Sequence, residues 1–272
     1  MQVKQIIKEK YDLLTKSEKK VANIILSSPD QVAHGTMNDI KGLAKVGDAT
    51  IIRFCQKLGY SGFSDLKIDV AKEDYFEQEN SVSINSFFEK SAEKITKTLE
   101  YTKKLLQQEV LEKAIELVSD SKNIYIFGVG TSGNTGQDLE AMFLRIGIQA
   151  KSVSDPHFQA QIASLLHEDD LVIGISLSGK TKDIYDSLSI AHTKHAKIIS
   201  LTNYLLSPIA QQSDLVLQTA TDEFFDGASL SGKISQLYIC ELLVKGFEKR
   251  HEEGSLTNRE SVIRAIMNKS ME

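Results

Sequence analysis

The chain has 272 residues, 41% hydrophobic and 25% charged, with a net charge of −5 at neutral pH. This is the composition of an ordinary globular protein long enough for two domains, and no apolar run approaches the ~20 residues a bilayer span needs. The first residues, Met1-Gln-Val-Lys-Gln-Ile-Ile-Lys8, lack an h-region and a cleavage site, so a cytoplasmic protein with no membrane partner is expected.

The charge is unevenly spread. Residues 1–72 carry +4, from 12 basic and 8 acidic side chains, and the remainder carries −9. A basic small half on an acidic large half suits a nucleic-acid-binding head on a body that does not bind nucleic acid. Cys55 and Cys240 fall inside helical patterns, which points to buried free thiols in a reducing compartment rather than a disulfide framework.

In chain order, residues 3–14 read as a helix with Val3, Ile6, Ile7, Leu13 and Leu14 on one side. Thr15-Lys-Ser-Glu18 spells a capping box that opens a helix through Val21, Ile24, Ile25 and Leu26 and stops at Ser28-Pro29. The spacing then predicts a helix at about 37–44, a tight turn over Ala44–Gly47 and a second helix from Asp48 to Leu58. Ile40, Ala44, Val46, Ile51 and Phe54 would face one small core, closed by Leu66, Ile68 and Val70. The outer side of the second helix displays Asp48, Ala49, Thr50, Ile52, Arg53, Gln56 and Lys57. That is the layout of a helix-turn-helix, although any tight helical hairpin gives the same periodicity.

Residues 73–84 are expected to be a linker between a domain at 1–72 and a larger one at 85–272. The larger one opens with helices at 85–106 and 109–120. Strands at 123–127, 148–153, 171–175, 196–201 and 215–217 then alternate with helices, the last at about 230–248. This alternation predicts a doubly wound, mostly parallel α/β sheet, with ligands beyond the carboxyl ends of its strands.

Two loops fall at such ends. Gly128-Val-Gly-Thr-Ser-Gly133 has dinucleotide-loop spacing, and Asp155 lies where a ribose-binding acid could stand. Its hydroxyls, Thr131 and Ser132, suit a phosphate or sugar equally well. The second, Ser176-Leu-Ser-Gly-Lys-Thr181, follows a buried strand and opens a helix, the arrangement of an anion site. His192 and His195 lack companions for a metal site. For isomerase chemistry only His157 and Glu223 are placed as acids or bases, and no motif supports either.

Thr36 to Leu66, through Ala49-Thr-Ile-Ile-Arg-Phe-Cys-Gln-Lys-Leu-Gly-Tyr-Ser-Gly-Phe63, resembles the N-terminal domain of RpiR-type bacterial transcriptional regulators. Residues 123–248, with the Ser-x-Ser-Gly-x-Thr loop, resemble a sugar isomerase (SIS) domain. The resemblance implies an all-α helix-turn-helix domain followed by an effector-binding SIS domain, without catalytic residues, metal or cofactor. It places Ser132, Ser176, Ser178 and Thr181 at phosphosugar-binding positions, with Gly130 and Gly179 beside them. Thr50 and Arg53 fall on the recognition helix, where Asp48, Gln56 and Lys57 also face outward.

The implied partners are double-stranded operator DNA, a sugar phosphate and a second copy of the chain. A phosphosugar isomerase or lyase with a helical extension, and a dinucleotide-sensing redox regulator, remain as alternatives. The family pattern usually has a small residue, Gly and Ser where this chain has Lys41, Lys45 and Gly47, so Lys45 is expected in a left-handed conformation. Gly232-Lys233 stands where an Arg is common.

Overall fold

The computed structural model describes residues 3–79, 87–220, 230–267 and 269. They form two compact units, one reaching to Ser91 and the other starting at Ala92. No helix among the described residues is long and apolar enough to cross a membrane.

The first unit is all helical: α1 (Val3–Lys10) with a 3₁₀ turn at Tyr11–Leu13, α2 (Lys16–Ser27), α3 (Pro29–His34), α4 (Met37–Ala44), α5 (Asp48–Leu58) and α6 (Phe63–Glu79). Val3, Ile7, Val21, Ile25, Ile40, Ala44, Ile51, Phe54, Leu66 and Val70 share one core, with Ile6, Ile24 and Val46 packed at its edge. The Thr15 box forms as the sequence predicts: its hydroxyl accepts from the Glu18 N–H at 3.3 Å, and its own N–H donates to the Glu18 carboxylate at 2.8 Å. Thr36 and Asp39 build a second box at the start of α4, closed by 2.6 and 3.2 Å bonds.

Helix α2 stops at Ser28 as expected, and Pro29 then opens a further helix, α3, because a proline at the first helical position loses no hydrogen bond. Two sequence expectations change here. Leu13, in the 3₁₀ turn, and Ile68, opposite Leu66 and Val70 on α6, are exposed. Residues 73–79, expected to be linker, continue α6; Lys72, Glu73, Glu77 and Glu79 are good helix formers whatever their charge. The rest of that stretch, 80–84, lies outside the described residues.

The second unit holds a five-stranded, wholly parallel sheet in the order β2-β1-β3-β4-β5. Its strands are β1 (Asn123–Gly128), β2 (Ala150–Val153), β3 (Asp170–Ile175), β4 (Lys197–Thr202) and β5 (Leu215–Gln218). Before the sheet come α7 (Phe87–Leu105) and α8 (Gln108–Asp120). Within it run α9 (Gly130–Leu144), α10 (Pro156–Ser164), α11 (Lys182–Thr193) and α12 (Pro208–Gln211). After it come α13 (Leu230–Arg250) and α14 (Glu252–Met267), the last without counterpart in the sequence reading.

The period of two along the strands divides the core. Ile124 and Ile126, Leu171, Ile173 and Ile175, and Ile199 and Leu201 pack with α8, α9 and α13 on one face. Phe127, Val172 and Ile198 pack with α10, α11 and α12 on the other. All six residues of β3 are buried, as an apolar run at the sheet centre requires.

Candidate functional site

The chain passes from β1 through α9 to β2 on one side, then crosses to β3 on the other, so its connections diverge between β1 and β3. Such a switch point opens a crevice at the carboxyl ends of the two strands. Gly128 pairs with Ile175 at that edge. The two polar loops, forty-odd residues apart in sequence, therefore leave the sheet side by side.

Each loop runs straight into a helix. Val129 at the start of α9 and Thr181 at the start of α11 make no side-chain cap to their helices. The first-turn N–H groups of a helix have no intrahelical acceptor, and the helix dipole adds positive potential there. Two uncapped helix starts on adjacent strands thus make one electropositive rim, suited to an anion.

In the second loop the buried Ser176 hydroxyl lies 2.9 Å from that of Thr181. The exposed Ser178 hydroxyl accepts from the Lys180 N–H at 3.2 Å, which leaves its own proton to donate outward. Gly179 turns the chain with φ of +62°, and a Cβ there would lie 2.1 Å from the Ser207 Oγ, so the position requires glycine. The loop carbonyls are occupied within the protein: Leu177 accepts from the Asn203 N–H at 2.9 Å and Gly179 from the Ile209 N–H at 3.2 Å. Hydroxyl and N–H donors remain at the loop mouth.

In the first loop, Gly130 adopts φ of +57° and Ser132 stands in the first turn of α9, nearly buried. A Cβ on Gly128 would lie 2.6 Å from the Ser132 carbonyl oxygen, so close strand-to-helix passage depends on that glycine. Two buried glutamines hold this loop, and the sequence reading singled out neither. Gln159 of α10 donates to the carbonyls of Gly128 and Val153 at 3.2 and 2.7 Å. Gln236 of α13 donates to the Ser132 Oγ at 3.2 Å and accepts from the Thr135 hydroxyl at 3.0 Å. An amide in a helical stretch gives no motif; only the packing of α10 and α13 onto the loop reveals them.

Asp155 caps α10, accepting from the Phe158 N–H at 3.0 Å. That bond gives it a structural task at the place where a ribose contact was considered. Lys233 pairs with Asp138 across α13 and α9 at 3.1 Å. His157, His192 and His195 are exposed, and Glu223 lies outside the described residues.

In the first unit, α4 and α5 form the expected pair. Lys45 holds the left-handed turn with φ of +51°. Gly47 starts α5 without a side-chain cap. Ile51, Phe54, Cys55 and Leu58 are buried, while Ala49, Ile52, Arg53, Gln56 and Lys57 are exposed and Asp48 and Thr50 are half-buried. Asp48 pairs with Lys41 at 3.0 Å, so the two residues that flank the turn neutralise one another. Lys57 is directed away from a free role: its ammonium lies 2.7 Å from the buried Glu18 carboxylate of α2.

This arrangement has counterparts among known proteins. Residues 1–76 match the helix-turn-helix domain of the rpiR family, and residues 117–246 match the SIS domain. An HTH-type transcriptional regulator of Haemophilus influenzae is 31% identical over 269 residues, which cover 94% of this chain and 93% of that one. The chain belongs to the RpiR family of transcriptional regulators. The HTH-type regulator YbbH of Bacillus subtilis is 32% identical and shares 91% of each chain. Among solved structures, the Vibrio vulnificus NanR protein complexed with ManNAc-6P superimposes with a TM-score of 0.79 at 25% identity, over 98% of this chain and 99% of that one. The first match spans α1 to most of α6, and the second spans the parallel sheet from the end of α8 into α13.

Proposed function

We propose that this RpiR-family regulator binds operator DNA through the exposed face of α5 and takes a phosphorylated sugar at the switch point between β1 and β3. The observation that carries the effector reading is the adjacency of two uncapped helix starts with Ser132, Ser176, Ser178 and Thr181 around them. A phosphate would receive hydroxyl and N–H donors there, and the sugar would extend along the crevice. The ManNAc-6P complex of NanR supports a sugar phosphate as the ligand class. On the DNA side, Thr50, Arg53 and Gln56 are the side chains placed to reach base edges.

A two-fold operator calls for a homodimer, and the cytoplasm is where such a protein meets chromosomal DNA. The effector acts by binding one arrangement of the dimer better than another. No acid–base pair beside the crevice is needed for this role, so the reading is of a sensor and not of an isomerase.

The test has two arms. Calorimetry with glucose 6-phosphate, fructose 6-phosphate, glucosamine 6-phosphate and N-acetylmannosamine 6-phosphate should show saturable binding of at least one. Fluorescence anisotropy with DNA from the flanking intergenic regions should show salt-dependent, sequence-selective binding that this compound alters. Turnover of any of the four into its aldose or ketose isomer would overturn the sensor reading. Absence of binding to all four would overturn the effector class.

A further inference from the structure

The network behind Ser132 has a direction. Gln236 is almost wholly buried and lies between two hydroxyls of α9, Ser132 and Thr135. An amide offers an acceptor at one end and donors at the other, so which end meets which hydroxyl fixes where both protons go. The Thr135 hydroxyl has two acceptors in reach, the Gln236 Oε1 at 3.0 Å and the Thr131 carbonyl at 3.4 Å. The structure has the amide oxygen facing Thr135 and the amide nitrogen facing Ser132 at 3.2 Å, and the 3.4 Å contact to the Thr131 carbonyl is the weaker of the two for the Thr135 proton. Thr135 therefore donates to Oε1, and the amide nitrogen is turned toward Ser132.

A serine that accepts from the amide keeps its own proton for another partner. We propose that Gln236 is a positioning residue that aims the Ser132 proton into the crevice, making Ser132 a donor to an anionic oxygen of the sugar phosphate. The inference rests on the effector reading above and adds the residue that sets its donor. An acceptor-only group in place of Gln236 would draw the Ser132 proton inward and present a lone pair to the anion. Asp138 and Lys233 pair at 3.1 Å one turn away on the same two helices. The position of Gln236 on α13 ties that helix to occupancy of the first loop.

The test compares Gln236→Glu with Gln236→Met. The first keeps the shape and only accepts once its carboxyl is ionised, which burial shifts to higher pH, so binding is followed from pH 7 to pH 9; the second removes both bonds and frees the Ser132 hydroxyl to rotate. Each is titrated by calorimetry with whichever of the four hexose 6-phosphates wild type binds most tightly. Gln236→Glu should weaken binding about 10-fold or more, the loss of one hydrogen bond to a charged group. Gln236→Met should stay within about fivefold of wild type, since the donor survives.

Weaker binding by Gln236→Met than by Gln236→Glu overturns the inference, and thermal unfolding of both variants separates a lost donor from a destabilised fold, since a buried carboxyl is itself costly. In a Ser132→Ala background, Gln236→Glu should add less than about twofold. A persistent loss there would mean direct charge repulsion and would also overturn it. If Gln236→Glu does not fold, Gln236→Met is compared with Ser132→Ala, and equal or weaker binding by Gln236→Met rejects the inference. Wild type that binds none of the four compounds removes the effector reading and this inference with it. Wild-type binding unaltered in Gln236→Glu removes only the inference.

Discussion

The Lys57 ammonium, at the end of α5, lies 2.7 Å from the Glu18 carboxylate in the first turn of α2. The same Oε2 atom accepts from the Thr15 N–H at 2.8 Å, so one buried carboxylate closes the capping box of α2 and anchors the end of α5. Lys57 also reaches the Leu13 carbonyl at 3.4 Å, and its own carbonyl accepts from Lys10 at 2.7 Å. A residue that the sequence places among outward DNA contacts is thereby engaged in joining α5 to the body of the domain.

Glu18 should make the first domain acid-sensitive. Burial alone would raise its pKa, but the hydrogen bonds from Lys57 and from the Thr15 backbone and hydroxyl, with the lysine charge, hold it below the ordinary 4.5. A carboxylate depressed in the folded state stabilises above its unfolded pKa, and that stability is lost as pH falls through the folded value. Thermal unfolding followed between pH 7 and pH 3 should show a smaller decline in Glu18→Gln than in wild type. Parallel declines would remove Glu18 from the acid response.

Lys57→Ala should lower the melting temperature by leaving the Glu18 carboxylate buried without its cation. Its effect on DNA should be correspondingly indirect. The slope of log affinity against log salt measures phosphate contacts, and it should change by less than the ~0.9 expected for one lost contact. A full unit of change would restore Lys57 as a phosphate contact.

Arg53 is exposed on the same helix and belongs to its outward face. If it reads a base edge, Arg53→Ala should weaken binding to the specific site by about 1–3 kcal/mol and relax preference at one base position. Non-specific DNA should be bound nearly as before. Unchanged site affinity in anisotropy titrations would exclude α5 as the reading helix.

Much of this is legible in the sequence. Helices α4 and α5 carry strong period-3.6 patterns bounded by Thr36, Gly47 and Gly59, so both boundaries and core faces could be read. Strand β3 and the loop after it were legible because an apolar run gives way abruptly to hydroxyls. What the sequence hid depends on packing between distant segments. Gln236 and Ser132 are 104 residues apart, and Glu18 and Lys57 are 39 apart. Helix α14 was missed because its residues are mostly exposed, which leaves little periodic apolar signal.

Cys55 and Cys240 are both buried free thiols. Burial pushes Cys55 up to about 11 and Cys240 up to about 12. Thiolate is the reactive form, so almost none is present at pH 8. An aromatic disulfide reagent should release no colour from the native protein within minutes and two equivalents after denaturation in guanidinium. Rapid reaction of one thiol in the native state would show that a core opens locally at that cysteine.

The second loop separates binding from shape at two neighbouring residues. Ser178 is exposed, and its hydroxyl accepts only the local Lys180 N–H, so Ser178→Ala removes a donor without touching the core. Sugar-phosphate affinity should fall by about 1.5–3 kcal/mol, the worth of one hydrogen bond to a charged group, with the melting temperature unchanged. Gly179→Ala acts differently. Its backbone sits at φ of +62°, and the added methyl would meet the Ser207 Oγ and the Thr202 Oγ1 at 2.1 and 2.6 Å. The loop must shift to relieve that contact, carrying the Ser176–Thr181 hydroxyl pair and the start of α11 with it. Gly179→Ala should therefore lose both ligand affinity and thermal stability, while DNA binding without ligand persists in both variants. Calorimetry paired with thermal unfolding distinguishes the two, and equal ligand affinity in wild type and Ser178→Ala would take this loop out of the effector site.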